Sequence, residues 1–125
     1  MIFLDTNYIL RFLVRDNEVM YQEAKEVIKN HRCYIENEVL AEVVFVLLKV
    51  YEVAKEDIVG ILKKFLSYPN IILREKKNIL EALEIFSNKN LDFVDAILCV
   101  KSKEYMVKTF DKKLNKCIQE LPKPK

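Results

Sequence analysis

Four of the nineteen acidic residues in this chain stand where a carboxylate is hard to explain as ordinary surface. Glu42 is the only charge within residues 39–48, a stretch of helical character that is otherwise apolar. A helix apolar nearly all round is buried nearly all round. An unpaired carboxylate inside one costs several kcal/mol or takes up a proton. Asp95 is likewise the lone charge of residues 93–100, with Asp92 one turn earlier on the same face. Asp5 directly follows the apolar run Ile2-Phe3-Leu4, and Asp111 follows Val107-Lys108-Thr109-Phe110. Both therefore stand at the carboxyl end of an expected strand, where open parallel sheets bind their ligands. Each acid also has a plainer reading: a helix N-cap for Asp5, Asp92 and Asp111, and a salt bridge or an edge position for Glu42. Asp95 lies too far inside its apolar run for capping to be its whole role.

The set is more specific than its members. If Asp5 and Asp111 end neighbouring parallel strands, their side chains open at one edge, and a helix on each side brings Glu42 and Asp95 to it. Two carboxylates about 4 Å apart repel by roughly 4 kcal/mol at an effective dielectric near 20. A cluster of four needs protons or a cation. Donors that are all oxygen suit hard ions, so Mg²⁺ or Mn²⁺ is implied rather than zinc. Mg²⁺ keeps several waters, one of which can serve as a nucleophile.

The elements that must position these acids alternate along the chain. Residues 2–4, 33–35, 71–73 and 106–109 read as short apolar strands. Between them, Ile9, Leu10, Leu13 and Val14 recur at helical spacing after Thr6 and Asn7, which can cap the turn. A second helix turns Val19, Ala24, Val27 and Ile28 inward, and Asn37 caps a third over 38–51. Lys55–Leu66 shows Ile58, Ile61, Leu62 and Phe65 on one face before the turn signal Pro69-Asn70. Lys76–Asn88 is amphipathic, and helices over 91–105 and 112–118 follow. This order predicts an α/β sandwich around a parallel sheet. One domain over residues 1–121 and a flexible tail over 122–125 are expected.

Composition narrows the function classes. The chain is 51% hydrophobic and 32% charged, a soluble globular profile. No apolar run approaches the roughly 18 residues that a membrane span needs, and no secretory signal is visible, so a cytoplasmic location is expected. Cys33, Cys99 and Cys117 are odd in number, widely spaced and without a C-x-x-C, which argues against a disulfide framework and a thiolate zinc site. Cys99 reads as a small core residue. His31 is the single histidine, so a Ser-His-Asp or Cys-His mechanism would rest on one imidazole in a polar stretch. The formal charge is only +2, but Lys108, Lys112, Lys113, Lys116, Lys123 and Lys125 crowd the C-terminal part. They read equally as a phosphate-facing surface or as a solvated helix and tail.

At the four acids the sequence resembles the PIN domain family, and within it the single-domain VapC-type ribonuclease toxins. The opening Ile2-Phe3-Leu4-Asp5-Thr6-Asn7 is similar to the family's hydrophobic-D-T-N start. Leu40-Ala41-Glu42-Val43 resembles its mid-chain helix acid, Asp92-Phe93-Val94-Asp95-Ala96 its third block, and Thr109-Phe110-Asp111 its final T-x-D. The resemblance implies a Rossmann-like three-layer sandwich, its parallel sheet of four or five strands flanked by about seven helices, and endonuclease action on RNA that depends on Mg²⁺ or Mn²⁺. It assigns Asp5, Asp95 and Asp111 to the metal and Glu42 to the metal or the attacking water, with Asp92 a further possible ligand. Asn7, Thr109 and Thr6 become the groups that fix those carboxylates. It also implies an RNA substrate, a small antitoxin partner, a homodimer and no membrane association. One departure is that the chain after Cys117 leaves a fifth edge strand short or absent.

Two other readings keep the same fold: a housekeeping RNA-processing nuclease, and a non-catalytic module that binds RNA or protein. The intact acid set argues against the second. A phosphoryl-transfer domain of the receiver or haloacid-dehalogenase type would need a second Asp beside or two after the strand-end acid, where this chain has Thr6 and Asn7.

Overall fold

The structure, a computed structural model, describes residues 1–121; the tail expected over residues 122–125 lies outside them. The chain divides into two compact units, Met1–Arg74 and Glu75–Lys125.

In the first unit, β1 (Ile2–Phe3), β2 (Cys33–Tyr34) and β3 (Ile71–Ile72) form a parallel sheet in the order β1-β2-β3. Ile2 stands opposite Cys33, and Cys33 opposite Ile71. The ladder is extended past the paired residues by Leu4 N–H donating to Tyr34 O at 3.0 Å and Ile35 N–H to Ile72 O at 2.9 Å. Parallel strands need crossovers, and here helices supply them: α1 (Thr6–Val14) and α2 (Glu18–Asn30) between β1 and β2, α3 (Asn37–Lys49) and α4 (Lys55–Leu66) between β2 and β3. Ile9, Ile28, Ile35, Leu40, Leu47, Ile58, Leu62 and Ile71 are almost completely buried in this unit.

The second unit is helical. It comprises α5 (Lys76–Asn88), α6 (Phe93–Lys101) and α7 (Lys112–Glu120), with α6 packed on both of the others. The rings of Phe86 and Phe93 meet edge to face with centroids 5.9 Å apart. Ile79, Leu83, Ala96 and Leu114 complete its core. The α/β class, the parallel sheet and the seven helices expected from the sequence are all present among the described residues. Three strands are described, and residues 106–109, where a fourth was expected, lead into α7 without a described pairing.

Several local expectations are corrected. Cys99 and Cys117 form a disulfide, with Cα atoms 6.1 Å apart. Their spacing of 18 residues gives no hint of it, because the pair is made by the buried faces of α6 and α7 meeting. Cys33 remains a free, buried thiol. Val19 and Ile61 face solvent, not the core. Glu36, not Asn37, occupies the N-cap position of α3, and it makes no side-chain cap bond. The helix expected over 91–105 is confined to α6.

Candidate active site

Asp5 is the N-cap of α1. Its Oδ1 accepts the backbone N–H of Tyr8 at 2.9 Å, which fixes the carboxylate at the point where β1 turns into the helix. An ionised carboxylate offers about four lone-pair sites, so one cap bond is compatible with further ligation. A cavity of about 400 Å³ adjoins it, lined by Ile2, Phe3, Leu4, Asp5, Tyr8 and Val27. One residue on, Thr6 Oγ1 donates a short hydrogen bond to Glu42 Oε1, joining the first turn of α1 to the middle of α3. Glu42 itself is exposed, not buried. The inference that α3 is buried all round fails because Phe45, three residues further on, is also exposed, at 58%. Leu40, Val43, Val44 and Leu47 carry the packing alone. Asn7 is exposed, and among the described residues no hydrogen bond joins it to a carboxylate.

The second unit holds the other acids. Asp95 occupies the third position of α6 and is half-buried. Burial, and then the charges of Asp92 and Asp111, raise its pKa above the ordinary aspartate value. Asp92 takes the N-cap position of α6 but makes no side-chain cap bond, so the capping role anticipated for it is positional only. Asp111 is the N-cap of α7, its Oδ1 accepting Leu114 N–H at 2.9 Å. Thr109 holds it from the other side: Thr109 Oγ1 accepts the backbone N–H of Asp111 at 3.0 Å. Asn115 Nδ2 in turn donates to Thr109 O at 2.9 Å. That participation of Asn115 was missed in the sequence, although an amide one turn inside a capped helix is well placed to reach back to the preceding loop.

The donor chemistry suits a hard divalent ion. Every candidate ligand is a carboxylate, and the like charges raising Asp95 are the condition that a cation relieves. In neither unit do three or more His, Cys, Asp or Glu side chains among the described residues group as a ligand set.

Acids thus stand at the β1 exit in the first unit and at the starts of α6 and α7 in the second. The chain belongs to the PIN domain family, which it matches over residues 2–117. It is 28% identical over 111 residues to a VapC ribonuclease from Aquifex aeolicus (strain VF5), a match covering 84% of this chain and 81% of the relative. No solved structure gives a significant match.

Proposed function

We propose that this protein is an endoribonuclease dependent on Mg²⁺ or Mn²⁺ that hydrolyses RNA phosphodiesters, the toxin half of a toxin–antitoxin pair. The observation that carries the reading is the family match, which runs through all four acid motifs; the half-buried Asp95, its pKa raised by burial and then by Asp92 and Asp111, agrees with it. The relative named as a ribonuclease supports RNA as the substrate.

On this reading Asp5, Asp95 and Asp111 hold the ion, with Asp92 as an additional ligand, and Glu42 binds it or orients the water. The bound ion supplies charge neutralisation for the phosphate and a water of lowered pKa. The chain's own residues hold the carboxylates still. Tyr8 N–H and Leu114 N–H each occupy one oxygen of Asp5 and Asp111, which fixes the carboxylate planes. Thr6 does the same for Glu42, and Thr109 for the backbone of Asp111. Preorganisation of this kind spares the reaction the cost of ordering those groups.

The partners follow from the same reading: an antitoxin that covers the toxin, and a second copy of the chain. The exposed apolar residues Val94 and Leu98, one turn apart on α6, and Phe45 on α3 support partner-covered surfaces. Among the described residues no helix is long and apolar enough to cross a membrane. On the ribonuclease reading we place the protein in the cytoplasm, with the RNA it would cut.

Metal binding is tested by thermal unfolding. Mg²⁺ or Mn²⁺ at a hundred times its Kd stabilises by about 2.7 kcal/mol if it binds only the folded state. Parent protein should melt higher with metal, and Asp95→Asn should not. Identical melting of the parent with and without either ion contradicts the proposal.

A further inference from the structure

Beyond its Asp111 cap, the charges within α7 run against the helix dipole. A helix is stabilised by acids in its first turn and bases in its last. Instead α7 begins with Lys112 and Lys113, continues with Lys116 and ends on Glu120. Each misplaced charge forgoes a helix-stabilising interaction, so helix stability does not account for lysines at these positions. Leu114, Cys117 and Ile118 turn inward, while Lys112, Lys113 and Lys116 are exposed.

Two of those lysines line a cavity of about 350 Å³ together with Lys89, Asn90, Leu91, Cys117 and Glu120. Three ammonium groups face one carboxylate there. Glu120 is bonded to Lys89, and that pairing holds its carboxyl below the ordinary glutamate value. The cavity is therefore cationic, with an internal acid that neutralises part of the charge. The disulfide of Cys117 to Cys99 fixes the wall from which Lys113 and Lys116 project. Asp111 caps the same helix only two residues before Lys113.

We propose that this cavity is a subsite for backbone phosphates of single-stranded RNA, with Lys113 and Lys116 as its contacts and the Lys89–Glu120 pair as its limit on affinity. Point-charge ammonium groups on flexible stems suit phosphates without base preference. Placed on the helix that Asp111 begins, the subsite would anchor the strand a short distance from the bond to be cut. The inference deepens the ribonuclease reading and rests on it for the identity of the strand.

The test separates binding from cleavage. A fluorescent single-stranded RNA is titrated with the protein in chelator, over a series of salt concentrations, by anisotropy. Lys113→Ala/Lys116→Ala should weaken binding, and should flatten the slope of log K against log salt by roughly 1.4, or about 0.7 per lost phosphate contact. Lys113→Arg/Lys116→Arg should keep the slope. Glu120→Gln, which removes the competing acid, should tighten binding, a gain that a misfolded variant cannot mimic. Unchanged affinity and slope in both the alanine and the glutamine variants would overturn the subsite. Because catalysis is off throughout, failure of the ribonuclease reading would show separately, as intact lysine-dependent binding with no cleavage when metal is restored. A single-stranded DNA of the same sequence bound equally would leave the phosphate contact standing. An RNA bound with the alanine slope already in the parent would refute it.

Discussion

Thr109 Oγ1 accepts the backbone N–H of Asp111 at 3.0 Å, two residues before the carboxylate of Asp111 caps α7. The T-x-D spacing is thus a local device in which the threonine fixes the peptide and the helix fixes the side chain. Thr109→Val keeps the shape and removes the acceptor. It should cost about 1 kcal/mol of stability and lower the metal-dependent cleavage rate about 10- to 100-fold. Thr109→Ser should restore both. Unfolding curves and initial rates on the three proteins check this.

Asp95 is destabilising in the metal-free protein. Its folded-state pKa lies above the ordinary value, first through burial and then through Asp92 and Asp111. The native state therefore binds more protons than the unfolded one in the window between those two values, and stability falls as pH rises through it. The penalty is complete above the raised value and absent below the ordinary one. Asp95→Asn should melt higher than the parent at pH 7 without metal. The difference should shrink as the pH is lowered through that window. Melting temperatures across pH 3–7 in chelator, for the two proteins, measure it.

The disulfide closes a separation of 18 residues, and a loop near that size contributes about 3 kcal/mol by restricting the unfolded chain. Cys99→Ala/Cys117→Ala, or reduction under denaturing exchange, should lower stability by about that amount, with Cys33 uninvolved. Denaturant titration of the oxidised parent, the reduced parent and the double variant provides the comparison.

Much of this arrangement was legible in the sequence wherever local signals decide it. Lys55–Leu66 and Lys76–Asn88 are observed at the ends anticipated for them, because amphipathic periodicity marks both and the Pro69-Asn70 turn closes the first. Asp5 stands at the β1-to-α1 elbow expected of it, and Asp111 takes the N-cap role read as its plainer alternative, with no strand described before it. Features that depend on contacts between elements were not legible. Glu42 was read as buried because its neighbours in sequence are apolar, yet Phe45 beside it is exposed as well. Hydropathy cannot tell a core face from a face kept for a partner. The Cys99–Cys117 bond follows only from how α6 meets α7. Asp92 takes a cap position without the cap bond, which no spacing rule foretells.

The Thr6–Glu42 bond joins two motifs 36 residues apart. If Glu42 is held for the reaction and not for the fold, Thr6→Val should change stability by no more than about 1 kcal/mol while reducing kcat more than KM. A stability loss with unchanged kinetics would assign the pair to structure alone. Steady-state kinetics beside thermal unfolding tells the two apart.

The central claim is that the motif acids bind a metal that cuts RNA, and labelled RNA incubated with purified protein in Mn²⁺, in Mg²⁺ and in chelator tests it most directly. Endonucleolytic products are expected with either ion, and none in chelator or with Asp95→Asn. Asp92→Asn should retain cleavage if it is only an additional ligand. Cleavage that persists in chelator, or that survives Asp95→Asn undiminished, would contradict the account.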